Sequence, residues 1–175
     1  MDQATERALR ELLDKEAIRD CVLRYLRGID RLDVDLIRSA FHEGAIDNHT
    51  RDVRGSVEGL LDWWLPRQAG REATQHFVTN QTIDLDGDTA HVESYFFVFI
   101  KKTTQNEGAL IGGRYADRFE RRHGVWKIAL RIVLPEWQAD ADARNTAMVK
   151  RAGGAIGARD SSDPTYQRPL QNPLA

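Results

Sequence analysis

Four side chains of types that move protons or hold charge stand in or beside runs that are otherwise apolar: Tyr25, Asp30, His76 and Arg131. Asp30 closes the stretch Leu23 to Asp33, four residues after Leu26, in the last turn of an expected helix where the carbonyl end of the dipole disfavours an anion. Tyr25 lies within the apolar stripe of that helix, so a phenol and a carboxylate approach the core from one element. His76, in Thr74 to Asn80, alternates onto one strand face with Val78 and Asn80, and imidazole is the side chain that exchanges protons near neutrality. Arg131 interrupts the apolar run Ile128 to Leu134, and a buried guanidinium needs an anion. Each also has a plain structural account. Asp30 can pair with Arg27, Arg31 or Arg131, Tyr25 can fill the core with its hydroxyl at the rim, and His76 can be a satisfied half-buried residue.

The elements that must position these residues follow from periodicity. Leu9, Leu12, Leu13, Ile18, Cys21, Val22, Tyr25, Leu26 and Ile29 recur at three- and four-residue spacing and predict a long amphipathic helix from about Thr5 to Ile29. A short helix, Asp33 to Phe41, is capped by Asp33, and a brief extended piece, Ala45 to Val53, carries Asp47, Asn48 and His49. Ser56 caps a further helix with Trp63 and Trp64, ended by Pro66 and Gly70. From Thr74 the period becomes two, in runs Thr74 to Leu85, Thr89 to Lys101, Ala109 to Arg122 and Val125 to Trp137, with Asp86-Gly87 and His123-Gly124 as turns. Helices followed by an antiparallel meander predict an α+β fold, a curved antiparallel or mixed sheet packed by the N-terminal helices into a cone with an open end. The face of the last strand that turns inward is not readable, because Trp126, Ile128, Leu130 and Ile132 share one parity and Ala129, Arg131 and Val133 the other. Gly112-Gly113, inside a strand, predicts a bulge or a close backbone approach. The domain is expected over residues 1–139, with 140–175 a C-terminal extension of a short helix, Ala141 to Arg151, and a Gly-, Ser-, Asp- and Pro-rich tail.

Composition removes whole classes of function. At 175 residues, 41% hydrophobic and 30% charged, the chain suits one domain large enough for a core and a ligand-sized cavity. A net charge of -2, from 25 basic and 27 acidic residues spread along the chain, speaks against nucleic acid or a membrane surface as partner. No apolar run approaches the roughly 20 residues that span a bilayer, and the charged start has no signal-peptide core, so a cytoplasmic location is expected. Cys21, the single cysteine, reads as a small buried hydrophobe. His42 and His49, seven residues apart, lack further convergent ligands, so no metal is expected.

These residues carry a resemblance. Tyr25 with Asp30 in Arg-Tyr-Leu-Arg-Gly-Ile-Asp-Arg, the stretch Gln75 to Asn80, and Phe119 to Ile128 leading to Arg131 are similar to the SnoaL-like branch of the nuclear-transport-factor-two-like superfamily, over residues 7–138. That branch contains hexachlorocyclohexane dehydrochlorinase, bile acid 7α-dehydratase and lignin diarylpropane γ-formaldehyde lyases. The resemblance implies a cone-shaped, cystatin-like α+β barrel, commonly a homodimer or homotrimer, that works without cofactor. It matches Asp30 and His76 to a catalytic dyad and Arg131 to the arginine beside the leaving group. Tyr25 matches the dehydratase tyrosine and departs from the dehydrochlorinase lysine, which favours a hydroxylated substrate over a halogenated one.

On this resemblance the expected activity is that of a lyase. Asp30 holds the Nδ1 proton of His76, Nε2 takes a substrate proton, Arg131 and Tyr25 meet the departing oxygen, and water or formaldehyde leaves. A hydrophobic hydroxylated aromatic or steroid-like substrate is expected against Trp63, Trp64, Tyr95, Phe97, Phe99 and Tyr115, with Asn48, His49 and Asn80 adding polar contacts. The alternatives are an isomerase, or a non-catalytic ligand-binding or dimerisation module in which Asp30, His76 and Arg131 form only an internal network.

Overall fold

The computed structural model describes residues 1–103, 107–143 and 157–171. The first helix, α1, spans Gln3–Arg31 and starts at Asp2, whose side chain accepts from the Thr5 N–H at 2.8 Å. It ends at Leu32 in the left-handed region, φ 55°, whose N–H returns to the Gly28 and Ile29 carbonyls. Only the C-terminal part of the expected stripe is used. Ile18, Cys21, Val22, Tyr25, Leu26 and Ile29 are buried, while Leu9, Leu12 and Leu13 stay exposed. Helix α2, Val34–Ser39, is capped by Asp33 and folds back so closely that a Cβ on Gly28 would stand 2.8 Å from Ile37.

Next come strands β1, Phe41–Thr50, and β2, Val53–Ser56, then helix α3, Val57–Trp64, capped by Ser56, and a 3-10 turn, Leu65–Gly70, containing Pro66. Four long strands complete the sheet: β3 Arg71–Asp86, β4 Thr89–Lys102, β5 Glu107–Arg122 and β6 Val125–Asp142. The six strands lie in the order β2-β1-β6-β5-β4-β3, curved and unclosed, with the helices on the concave side. The last four form the expected antiparallel meander. The brief extended piece is longer than expected: β1 starts at Phe41 and pairs parallel to β6. Its alternation is blurred by Gly44 at φ 74° and by a register shift between Phe41 and Ile46, which hid it as a strand.

Bulges decide which side chains reach the concave face. On β6, Phe119 pairs with Ile128 but Arg118 with Leu130, so Ala129 is an extra residue. Trp126 and Ile128 point inward before it, Arg131 after it, which is why both parities looked apolar. Gly112-Gly113 holds both a bulge and a close approach: a Cβ on Gly112 would lie 2.1 Å from the Trp137 ring, one on Gly113 2.2 Å from the Leu134 carbonyl. Of the expected helix from Ala141 to Arg151, Asp142 still belongs to β6, and positions 144 onward lie outside the described residues. The described tail, 157–171, returns to the end of α1 with a 3-10 turn, Pro164–Tyr166.

Candidate functional site

Asp30 and His76 meet where the last turn of α1 crosses the first residues of β3. The Asp30 carboxylate receives three contacts: Oδ1 faces His76 Nδ1 at 2.7 Å and accepts from the Thr74 hydroxyl at 2.8 Å, and Oδ2 accepts from the His76 backbone N–H at 2.9 Å. An ionised carboxylate has no hydrogen to give, so Nδ1 donates and Nε2 carries the free lone pair. Nε2 has no hydrogen-bond partner among the described residues. The two side chains remain 14% and 15% exposed, enough for a ligand to touch them. Thr74 was not expected at the site, although strand parity places it on the same face as His76.

Arg131 and Tyr25 form a separate, deeper group. Arg131 is fully buried and pairs in two-pronged fashion with Asp117 on β5, Nε to Oδ1 at 2.8 Å and Nη2 to Oδ2 at 2.6 Å. The ion pair with Asp30 considered from sequence is therefore not made; Asp117 supplies the anion, because it is the cross-strand partner of Arg131. The guanidinium carbon lies 4.3 Å from the Tyr25 ring centroid and 4.2 Å from that of Tyr115. Burial would favour a neutral Arg131, but the bond to Asp117 holds it charged. Burial raises Tyr25 well above the ordinary phenol value, with the Asp47 charge adding to it, so the phenol keeps its proton. Asp47, paired in register with Arg131 from the other side, is buried, and among the described residues neither its carboxylate oxygens nor Arg131 Nη1 has a hydrogen-bond partner. His49 Nδ1 stands 3.4 Å from Asp47. The row Asp47, Arg131, Asp117 thus runs across three neighbouring strands. Alternation of Tyr115, Asp117 and Phe119 could have flagged Asp117, and Asp47 was visible only as part of a polar knot.

Among the described residues, no hydrogen bond or ion pair joins the Asp30–His76 pair to this row. Of the expected pocket residues, Tyr115 is buried and stacks on Phe96 at 4.4 Å, and Trp64 is core. Trp63 packs against His49 at 5.9 Å and beneath Arg67 at 4.3 Å. Asn48 and His49 line an open groove of about 400 Å³ with Arg54 and Val133. The structure places four of the expected pocket residues elsewhere. Tyr95, 41% exposed, and Phe97, stacked on the exposed Phe77 at 4.6 Å, point away from the concave face, because Val92, Ser94, Phe96 and Val98 take the inward positions of β4. Phe99 shares their parity. Asn80 is exposed, since a register shift between Val78 and Gln81 breaks the alternation that linked it to His76. No group of three or more His, Cys, Asp or Glu among the described residues could hold a metal ion, and no helix is long and apolar enough to cross a membrane.

Comparison with known proteins agrees with this architecture. No curated protein sequence matches the chain. Among solved structures, a hexachlorocyclohexane dehydrochlorinase (LinA, type 2) superposes with TM-score 0.70 at 22% identity, covering 77% of this chain and 93% of the other. A scytalone dehydratase-like protein from Novosphingobium aromaticivorans gives 0.69 at 18%, covering 77% and 91%. A protein with a cystatin-like fold from Nostoc punctiforme gives 0.59 at 19%, covering 71% and 92%. The SnoaL-like domain family matches residues 10–132, most of the chain and every element from α1 into β6, and the chain belongs to that family.

Proposed function

We propose that the chain is a cofactor-independent lyase that takes a proton with His76 and expels water or formaldehyde from a hydrophobic, hydroxylated substrate. The 2.7 Å contact between Asp30 and His76, which leaves Nε2 as a free base, carries this reading. In dehydration, Nε2 removes the proton from the carbon beside the hydroxyl-bearing carbon. The C–H electrons form the double bond, the C–O bond breaks, and the departing oxygen takes the imidazolium proton and leaves as water. Arg131 and the un-ionised Tyr25 stabilise the charge on that oxygen by hydrogen bonding. In a diaryl 1,3-diol, Nε2 takes the γ-hydroxyl proton, the Cβ–Cγ bond breaks to release formaldehyde, and its electron pair forms the Cα–Cβ double bond as the α-hydroxyl takes that proton back from the imidazolium and leaves as water. An isomerase would return the abstracted proton elsewhere on the substrate. The names of the dehydrochlorinase and dehydratase neighbours support elimination chemistry. Tyr115, Trp63, Asn48 and His49 are proposed as substrate contacts, and a homodimer or homotrimer is proposed from the unpartnered Leu9, Leu12 and Leu13.

A second reading, a non-catalytic ligand-binding module, is favoured by one observation: Arg131 is already held by Asp117 and two phenol rings. Mass spectrometry of aryl and steroid alcohols incubated with the purified protein separates the two. Product lighter by water or formaldehyde, absent with His76→Ala, supports the lyase, and bound but unchanged alcohol supports the module.

A further inference from the structure

Arg159 lies outside the residues that match the family, in the tail segment that returns to the end of α1. Its guanidinium touches each element that meets at the dyad. Nε donates to the Asp30 backbone carbonyl at 3.3 Å, Nη1 to the Arg71 carbonyl at 3.1 Å, and Nη2 to Gln68 Oε1 at 3.0 Å and to the Thr74 hydroxyl at 3.2 Å. The Asp30 carbonyl is in the last turn of α1, where carbonyls have no partner within the helix. Arg159 therefore serves as a donor at the helix end while tying that end to β3.

The contact with Thr74 has a directional consequence. A guanidinium only donates, so the Thr74 oxygen accepts from Arg159, and the single hydroxyl hydrogen is left for Asp30 Oδ1, 2.8 Å away. With that hydrogen and the His76 N–H both aimed at it, the Asp30 carboxylate is held as an acceptor, which in turn holds His76 Nδ1 as a donor. We propose that Arg159 is a positioning residue for the Asp30–His76 pair, acting through Thr74 and through its positive charge behind the carboxylate.

The segment is anchored well enough to do this. Asp163, 2% exposed, accepts from the Ala158 N–H at 2.8 Å and the Thr165 N–H at 3.0 Å, and lies 3.4 Å from Arg31. The Tyr166 hydroxyl donates to Asp33 Oδ2 at 2.7 Å, and the Arg27 guanidinium covers the Tyr166 ring at 4.6 Å. The charged groups facing Arg159 are Asp30 and Arg31 from α1 and Arg71 from β3. Asp30 is thus the acid among them, and removing the Arg159 charge leaves it free to draw a proton onto His76 more strongly.

The test reads the His76 imidazole titration by NMR, so it does not require turnover, although it rests on Asp30 and His76 being the reactive pair. Arg159→Gln should raise the His76 midpoint by about half a pH unit or more, and Arg159→Lys, which restores the charge, should return most of that shift. Thr74→Val keeps the backbone contacts of Arg159 and removes the relay hydrogen, so it should also raise the midpoint; it decides the matter if Arg159→Gln does not fold. A lower melting temperature with an unmoved His76 midpoint in the folded variants overturns the proposal and leaves Arg159 a purely structural strap. If His76→Ala retains full turnover while Arg159→Gln still shifts the titration, His76 is not the base of the proposed lyase and only the structural coupling of Arg159 to the pair stands.

Discussion

The two polar groups on the concave face are built to opposite plans. Asp30 and His76 sit at the rim, about one-seventh exposed, with the acid bonded on both oxygens and the base left with one open nitrogen. The row Asp47, Arg131, Asp117 is sealed, with the guanidinium locked on one side while, among the described residues, Asp47 and Arg131 Nη1 have no hydrogen-bond partner on the other. A rim pair can gain and lose a proton while its backbone stays in place. A sealed row cannot lose Asp117 without stranding the Arg131 charge, so it sets electrostatics and structure together. Reactivity and stability are therefore expected to separate by mutation.

The sharpest separation comes at the rim. His76→Ala and Asp30→Asn should each lower turnover by about 10²–10⁴-fold or more in steady-state kinetics, with the melting temperature nearly unchanged. Full activity in either variant breaks the site assignment. Asp117→Ala should do the reverse, costing about 3–5 kcal/mol in chemical denaturation by leaving Arg131 buried and unpaired. A cost under about 1 kcal/mol would mean that the guanidinium finds another anion.

A smaller effect tests the clasp that holds the rim pair from behind. Burial alone would raise the Asp163 carboxyl, but hydrogen bonds from Thr165 and Ala158 and the nearby Arg31 bring it down to about 2. Because the folded value lies below the unfolded one, the stabilisation is complete above about pH 4 and is lost as pH falls toward 2, roughly 2 kcal/mol in all. The stability difference between wild type and Asp163→Asn should shrink over that window, and a constant difference would mean that the clasp does not titrate there. The smallest effect divides the sealed row itself. Asp47→Asn removes a buried carboxylate that has no hydrogen bond among the described residues and should raise the melting temperature by about 2–4 °C, the opposite sign to Asp117→Ala. A fall instead would show that Asp47 supports Arg131 by charge alone.

Much of this was legible where local pattern and tertiary environment agree. The three- and four-residue spacing of Ile18 to Ile29, the Asp33 and Ser56 caps and the meander turns all mark elements that formed. Asp30 and His76 could be named as candidates from their types and positions, and the structure brings them into contact. What could not be read depends on register. Ala129 changes the parity of β6, the shift after Val78 turns Asn80 outward, and nothing in β4 says whether Tyr95 or Phe96 faces the helices. Asp117 and Asp47 become partners of interest only once β5, β6 and β1 are laid side by side. Arg159 carries no local signal, because its contacts span 85 to 129 positions of sequence.

The extra residue at Ala129 makes the lining of the hollow tolerant of a change in strand length. Loss of one codon there would straighten the strand yet keep Phe119 opposite Ile128 and Asp117 opposite Arg131, so the guanidinium would still face inward with its anion. The bulge thus absorbs a one-residue change in strand length without altering which side chains line the interior.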